Sequence, residues 1–349
     1  MQVDVFTTNS TGPGQSDRMS DTLMRRSFNN NLTVFYFRKY KSFIFSFALL
    51  YALFRDLKNY DVIHLTGVYS FTTLPVLLLS SIFKRPLIWS PRGALQDWQG
   101  GKKQRLKIVW NKLCGQLLTK KLVTMHVTSE QEKSESLKKI SVGSCVVIVN
   151  GVDVPERSAV ESKAVSKSNK HVLYLGRLDE KKGIEYLLRA VSILKNNGNS
   201  NIILDVCGDG DPVYTKKIKE LASLLGVTEI TNFHGHVTGE LKHKILLNSD
   251  VAVFPSYTEN FGVVVAESLA YSIPVVVTKN MPWDEVENRN CGLIVSRDAT
   301  SIADSIKKIL SSEEIDIGVS GRDWMEKDFG WESIAKQMLD TYERATHVI

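Results

Sequence analysis

The sequence predicts an α/β protein built from two doubly wound domains in tandem, each with a parallel sheet covered by helices on both faces. The length of 349 residues accommodates two domains, at roughly 100–200 residues each. Short apolar runs rich in β-branched residues alternate with helical stretches, as in parallel sheets buried on both faces. The polar stretch 155–170 lacks this alternation and is predicted to be the linker. Because ligands bind such sheets at the carboxyl ends of their strands, two facing domains predict a cleft that binds a ligand.

The first domain spans residues 1–154 and contains six predicted strands, separated mostly by helices. The strands are Val3–Thr7, Leu32–Phe37, Val62–Leu65, Leu87–Ser90, Leu122–Val127 and Val146–Val149. The two longest apolar runs, residues 43–54 and 71–83, are too short to cross a bilayer, which takes about 20 helical residues. We therefore expect two helices that are buried or lie at an interface.

The second domain spans residues 171–330 and alternates more regularly. Its predicted strands are His171–Leu175, Ile202–Cys207, Ile230–Phe233, Val251–Phe254, Val275–Thr278 and Leu293–Val295. Its predicted helices lie near residues 183–197, 212–225, 238–248, 262–271 and 299–311. A last helix in the segment 331–349 has no strand after it, so we expect it to pack back toward the first domain.

Composition excludes several classes of protein. With 43% hydrophobic and 23% charged residues, the chain is neither disordered nor collagen-like. The four cysteines lie far apart without a CxxC pair, which argues against a disulfide framework or a structural zinc site. No signal peptide is recognisable, so we expect a cytoplasmic protein with free thiols.

The charge is divided unevenly between the two halves. Residues 1–150 contain 21 Lys and Arg against 9 Asp and Glu, whereas residues 151–349 contain 23 against 29. A basic first domain favours an anionic partner, which leaves open a membrane surface, a nucleic acid and a phosphorylated substrate. Basic residues between Trp98 and Trp110 suit a membrane interface, and a solvated basic face is the plainer alternative.

The most informative motif is ENFGVVVAE, residues 259–267, which follows the strand Val251–Phe254. A helix is predicted to start near Gly262, so its first amides lack intrahelical acceptors and favour an anion such as a diphosphate. Glycine at this position allows a ligand to approach the backbone closely. The carboxylates of Glu259 and Glu267 are suited to accept hydrogen bonds from sugar and ribose hydroxyls.

Two glycine-containing turns lie beside this motif in the predicted sheet. The turn GRLDEKKG, which begins at Gly176, offers the guanidinium fork of Arg177 and the point charge of Lys182 to a departing diphosphate. The turn CGDGD contains Gly208 and a formal DxD pair, Asp209 and Asp211. Because it lies between a strand and a helix, we interpret it as a tight turn rather than a metal site.

In the first domain, the stretch SPRGAL closes the strand Leu87–Ser90 and places Arg92 and Gly93 at its carboxyl end. Arg92 is therefore a candidate to bind an acceptor phosphate or to support the leaving group. A purely structural arginine is the alternative.

Taken together, these stretches resemble the family 4 retaining glycosyltransferases, which have the GT-B fold. GRLDEKKG, CGDGD, FPSYTENFGVVVAE, SIPVV and PWDEV…CGLIV follow the family's order across about residues 171–345. NGVD, at residues 150–153, belongs to the same series, and DVIHLTG, WSPRGAL and HVTSEQE match more loosely in the first half. The resemblance is to bacterial enzymes that add a sugar to a lipid-linked intermediate in capsule, exopolysaccharide or O-antigen (lipopolysaccharide) assembly.

The resemblance implies a role for each matching residue. Glu267 would hold the ribose, Glu259 the donor sugar, and Arg177 with Lys182 the diphosphate. The donor-binding backbone would be that of Asn260, Phe261, Gly262, Val263 and Val264. Arg92 stands where many members have a cleft residue on the acceptor side, often histidine.

The resemblance also implies a substrate set. The donor would be a UDP- or GDP-sugar bound without metal or other cofactor, and the transferred group a hexose or an N-acetylhexosamine. The acceptor would be a lipid-linked saccharide rather than a nucleic acid, with the enzyme peripheral at the inner face of the cytoplasmic membrane. Transfer with retention is described for this family by front-side attack, in which the leaving diphosphate helps to take the acceptor proton.

Two alternatives stay open. One is another sugar-nucleotide enzyme with this fold, such as an epimerase. The other is a catalytically inactive homologue, because the segment Val3–Gly14 resembles the family's second strand and its loop, so the usual first strand–loop–helix unit is expected to be absent. Either the recorded start lies downstream of the true one or the unit has been lost.

Overall fold

A computed structural model describes residues 1–10, 25–40, 45–97, 104–161, 169–199, 201–311 and 316–347. The loop with Gly12 and Gly14, Trp98 and residues 162–168 of the predicted linker lie outside this set. The described part is an α/β protein with two halves, each containing parallel strands covered by helices.

The elements of the first half follow one another in chain order. They are β1 (Val3–Thr8), β2 (Arg25–Asn29), β3 (Leu32–Phe37), α1 (Phe47–Asp56), β4 (Ile63–Thr66), α2 (Thr73–Ile82), β5 (Leu87–Ser90), α3 (Gln104–Leu117), β6 (Val123–Val127), α4 (Glu130–Lys139), β7 (Ser144–Val147) and α5 (Arg157–Glu161). The last of these, α5, lies within the stretch predicted to be a linker.

The described strands of the first half form two sheets rather than the single doubly wound sheet that the sequence predicts. One is the parallel sheet β4-β5-β6-β7, and the other has the order β1-β3-β2. The strand β2 pairs antiparallel with β3 and was not predicted, because all five of its residues are exposed and only Phe28 is a large apolar residue. The Tyr60 hydroxyl, which lies just before β4, donates to Asp4 Oδ2 of β1 at 2.7 Å and connects the two sheets.

The elements of the second half agree with the predicted ones within a few residues, except for the helix α11, which was not predicted. They are β8 (Lys170–Leu175), α6 (Ile184–Asn196), β9 (Ile202–Cys207), α7 (Pro212–Leu224), β10 (Thr231–Gly235), α8 (Gly239–Asn248), β11 (Val251–Phe254), α9 (Val263–Ala270), β12 (Val275–Thr278), β13 (Gly292–Val295), α10 (Ala299–Ser311), α11 (Asp316–Trp324) and α12 (Trp331–Thr346).

The six strands of the second half form one parallel sheet of order β10-β9-β8-β11-β12-β13. Successive side chains of a strand point to opposite faces, so Val172 and Tyr174 of β8 enter one apolar core while Leu173 and Leu175 enter the other. Every residue of β11 and β12 is buried, which explains their continuous apolar sequences. Helices on both faces therefore leave the carboxyl edge of the sheet as the place for a site.

The last helix connects the two halves. The Val152 amide donates to the Phe329 carbonyl at 2.9 Å, just before α12 begins. Farther along α12, the Tyr342 hydroxyl lies 2.6 Å from His64 Nδ1 of β4. Among the described residues, no helix has both the length and the apolar character that crossing a membrane takes.

Candidate functional site

The loop between β11 and α9, residues 255–262 and here called the donor loop, lies at the carboxyl edge of the second sheet. Gly262 is the N-cap of α9 and has φ 78°, a left-handed conformation that costs other residues about 1–2 kcal/mol. The amides of Val263 and Val264 occupy the first turn, which lacks intrahelical acceptors. Phe261 is buried against Trp283, whose indole donates to the Phe261 carbonyl at 2.6 Å, so its side chain belongs to the core. The predicted anion site is thus a helix N-terminus held by an aromatic core.

Lys182 and Glu259, which were predicted separately, form an ion pair between Nζ and Oε1. The side chains are only 16% and 10% exposed, and the Ser256 hydroxyl donates to the same carboxylate oxygen at 2.8 Å. A one-turn helix at residues 180–182 brings the lysine to this position, because the Tyr257 amide donates to the Lys181 carbonyl at 2.9 Å. The fold therefore places a cation and an anion side by side next to the start of α9.

Other predicted donor residues lie at the same carboxyl edge of the sheet, directly after β8 and β9. Arg177 is exposed in the turn after β8. The Gly176 amide donates to the Cys207 carbonyl at 2.9 Å, and the Gly208 amide donates to the Gly235 carbonyl at 2.7 Å. These bonds hold the ends of β8, β9 and β10 side by side beneath the cleft.

Glu267 lies one turn inside α9 and is half-buried. The Lys242 ammonium of α8 donates to its Oε1 at 2.7 Å, a contact that the sequence did not predict. This lysine fixes one carboxylate oxygen and leaves the other able to accept hydrogen bonds from a ligand.

One member of the DxD pair, Asp211, has a structural role. Asp211 caps α7, since its Oδ1 accepts from the Val213 and Tyr214 amides at 3.0 and 3.1 Å. Within the described ranges, no group of three or more His, Cys, Asp and Glu side chains is arranged to hold a metal ion.

The loop after β5, residues 91–96 and here called the acceptor loop, carries Arg92 and Gly93. The Arg92 guanidinium donates to Asn150 Oδ1, and burial lowers its pKa while the nearby Glu132 carboxylate opposes that effect. The Gln96 amide of this loop donates to the Glu259 carbonyl at 3.3 Å. The acceptor and donor loops are thus in direct contact across the cleft.

Two family models match adjoining parts of the chain. Residues 1–156 match the family described as Glycosyltransferase Family 4, and residues 156–317 match Glycosyl transferases group 1. The chain belongs to glycosyltransferase family 4. This confirms the family that the motifs predicted.

Curated relatives of this family 4 chain match over part of their lengths. An uncharacterized glycosyltransferase of Methanocaldococcus jannaschii is 31% identical over 193 residues, which is 54% of this chain and 48% of that protein. The capsular polysaccharide biosynthesis glycosyltransferase CapM of Staphylococcus aureus is 28% identical over 228 residues, 62% of this chain and 57% of that protein. The chain therefore spans about half the length of these two relatives.

Solved structures resemble the family 4 chain over most of its length. Sucrose-phosphate synthase of Thermosynechococcus elongatus has a TM-score of 0.77 at 21% identity and covers 100% of this chain and 90% of its own. HepE of Anabaena, solved in complex with UDP-glucose, has a TM-score of 0.71 at 19% identity, and the match covers 89% of this chain and 86% of HepE. These likenesses confirm the predicted GT-B fold.

A chain of hydrogen bonds beneath the acceptor loop was missed by the sequence analysis. His126 Nε2 lies 2.9 Å from the Ile148 carbonyl, so this nitrogen carries a proton, and Nδ1 accepts from the Ser90 hydroxyl at 2.8 Å. Ser90 Oγ then accepts from His64 Nε2 at 2.7 Å, which leaves His64 Nδ1 to accept from Tyr342 at 2.6 Å. The network assigns one neutral tautomer to each histidine. The stretches DVIHLTG, WSPRGAL and HVTSEQE contain His64, Ser90 and His126, but no local pattern predicted their contact, because they lie on separate strands and Tyr342 lies on α12.

Both histidines are held neutral. Burial is the main reason that the pKa of His126 is lowered, and burial together with His126 and Arg92 lowers the pKa of His64 to about 4. An unfolded chain binds these protons near pH 6.5, whereas the folded chain binds the His64 proton only near pH 4. The unfolded state therefore binds more protons between these values, and the free energy of unfolding should fall as the pH falls from about 6.5 to 4.

We expect His64→Gln to make the free energy of unfolding less dependent on pH over this window. The measurement is urea unfolding at pH 7.5, 6.0 and 4.5, with His347→Gln at the exposed end of α12 as the matched control. Equal pH dependence in the wild type and His64→Gln would contradict the assignment of a neutral His64.

Proposed function

We propose that this chain is a retaining glycosyltransferase that moves a sugar from a nucleotide-diphosphate donor to a lipid-linked saccharide. The observation that carries the proposal is the buried pair of Lys182 and Glu259 beside the N-terminus of α9. A cation and the first amides of a helix suit a diphosphate, and a carboxylate suits the hydroxyls of the attached sugar. Membership of family 4 supports the same activity.

The proposed donor is a UDP- or GDP-sugar. HepE, which shares the fold, was solved with UDP-glucose, and this favours UDP. In the proposed binding mode, Glu267 accepts hydrogen bonds from the ribose while Lys242 holds its other oxygen. The transferred group is proposed to be a hexose or an N-acetylhexosamine.

In the proposed mechanism, cationic side chains and backbone amides of the protein stabilise the negative charge of the leaving diphosphate. As the sugar–phosphate bond breaks, negative charge grows on the diphosphate, where Lys182, Arg177 and the amides at the start of α9 meet it. Such preorganised donors act most strongly in a site that excludes water. Glu259 is held by Lys182 and Ser256, which orients it to bind sugar hydroxyls. No metal or other cofactor is assigned a step.

The first half of the chain is proposed to meet the lipid-linked acceptor at an anionic membrane surface. The helix α1 exposes Phe47, Tyr51 and Phe54, at 63%, 65% and 63%, and α3 exposes Leu106 and Val109, at 65% and 58%. Basic residues accompany them on the same helices: Arg55 on α1, and Arg105 and Lys112 on α3. Exposed apolar residues beside basic ones are suited to a bilayer interface. The similarity to CapM supports an acceptor in surface polysaccharide assembly.

The test is a screen of UDP- and GDP-linked hexoses and N-acetylhexosamines with a polyprenyl-diphosphate-linked saccharide in anionic liposomes. We expect release of one nucleoside diphosphate together with sugar incorporation into the lipid, and co-sedimentation of the protein with anionic but not neutral liposomes. Turnover of no donor would instead favour the catalytically inactive homologue.

A further inference from the structure

Glu132, near the start of α4, is a carboxylate with no exposed surface at the contact between the acceptor and donor loops. A buried carboxylate is stable only where several donors satisfy it. The source of those donors therefore shows which parts of the structure this residue holds together.

Three donors come from the first half of the chain. The Gly93 amide of the acceptor loop donates to Glu132 Oε1 at 2.5 Å. The amide and hydroxyl of Thr128 donate to Oε2 at 2.8 and 2.9 Å. Glu132 therefore fixes the acceptor loop against the N-terminus of α4.

A fourth donor comes from the other side of the cleft. The Asn260 side chain of the donor loop lies with its nitrogen toward the carboxylate, since the opposite orientation would bring two oxygens together. In this orientation the nitrogen is 2.6 Å from Glu132 Oε2 and 3.1 Å from Oε1. The Ser129 hydroxyl also donates to the Asn260 carbonyl at 3.2 Å. The donor loop is thus bonded to α4 through both its side chain and its backbone.

The approach of the two loops is close enough to require glycine at position 93. A Cβ added to Gly93 would lie 2.9 Å from Asn260 Cβ, and the residue has φ 76°. Bulk at this position would push the donor loop away from the acceptor loop. Gly93, Asn260 and the Glu132 carboxylate therefore belong to the same contact between the two loops.

We propose that Glu132 is a positioning residue that aligns the acceptor loop with the donor loop, by accepting from Gly93 on one side of the cleft and from Asn260 on the other. The proposal rests on the proposed function, because it concerns the alignment of acceptor and donor sugar. Glu132 has no exposed surface, so it acts through the loops and not on the substrate.

Replacement of Glu132 by glutamine keeps the size of the side chain and replaces one acceptor oxygen by a donor. In either orientation the new amide nitrogen faces a backbone N–H, of Gly93 or of Thr128, together with the Asn260 nitrogen. We expect Glu132→Gln to lower kcat/KM for transfer by about 10- to 100-fold, as for a lost hydrogen bond to a charged group. We also expect a larger radius of gyration by X-ray scattering with UDP.

The matched control is Glu135→Gln on the same helix. Glu135 accepts from the Asp97 amide at 2.6 Å, which is also a contact from α4 to the chain after β5, but its described partners all belong to the first half. We expect kcat/KM of Glu135→Gln within about threefold of the wild type. We also expect an unchanged radius of gyration, because none of the described partners of Glu135 lies across the cleft.

A second variant tests the pairing itself. Asn260→Asp places two carboxylates together, and adding Glu132→Gln supplies an amide that donates to the new Asp. We expect the double variant to be more active than Asn260→Asp alone, which a merely structural role of Glu132 would not produce.

The outcomes separate this proposal from the proposed function. Equal kinetics and scattering for Glu132→Gln and Glu135→Gln, or a double variant no better than Asn260→Asp, would overturn the positioning role. If the wild type transfers no sugar, the proposed function fails, while the scattering of the two glutamine variants still decides whether Glu132 joins the loops.

Discussion

Lys182→Ala is expected to lower kcat of sugar transfer by about 10²–10³, with a smaller change in KM for the donor. The reason is that negative charge on the diphosphate grows as the bond to the sugar breaks, so its cationic partner matters more in the transition state than in the ground state. Arg177→Ala is expected to act in the same direction. The measurement is steady-state kinetics with the donor identified in the screen.

The control for this prediction is Lys216→Ala on α7, an exposed lysine whose Nζ lies 3.7 Å from Glu220. Lys182→Ala also leaves Ser256 as the one donor to Glu259 Oε1 among the described residues, so the thermal unfolding of the variant should be measured together with its kinetics. A folded Lys182→Ala variant with near-normal kcat would contradict the assigned role.

Glu267→Ala is expected to raise KM for the nucleotide sugar by about 10- to 100-fold, the range for a lost hydrogen bond to a charged group. The ribose does not change during transfer, so Glu267 should hold it equally in the ground and transition states. The kcat value at saturating donor is therefore expected to change much less.

The matched control is Glu240→Ala at the start of α8, where an exposed glutamate lies 3.7 Å from Lys244. UDP binding measured by calorimetry should weaken in Glu267→Ala and not in the control. A large fall in kcat with an unchanged KM would show that Glu267 acts on the reacting atoms rather than on the ribose.

The second half of the fold was predictable because its strands are continuous apolar runs. Residues such as Val251–Phe254 are buried on both faces of a parallel sheet, so the sequence has the same character throughout each strand. The strand β2 was not predictable, because an exposed hairpin strand lacks that signal. The start of α9 was placed within one residue, since glycine marks its N-cap.

The candidate site was predictable to the extent that its residues lie in local motifs. Arg177, Lys182, Glu259 and Glu267 were identified from turns and helix starts that follow apolar strands. Glu132 lies in the sequence Ser129-x-x-Glu132, which locally predicts only a helix cap, and Ser129 does accept from the Glu132 amide at 3.1 Å. Its donors come from Gly93 and Asn260, and contacts so far apart in the chain leave no periodic pattern.

The sequence by itself determined the fold class and the family, and it supplied the candidate site residues, because these depend on strand and helix periodicity and on turns a few residues long. Only the tertiary structure decided which charges meet. It pairs Lys182 with Glu259 and Lys242 with Glu267, and it joins Glu132 to Asn260 across the cleft. The physical reason is that hydrogen bonds and ion pairs act over a few ångströms in space, and only the packed sheets bring these distant parts of the chain that close.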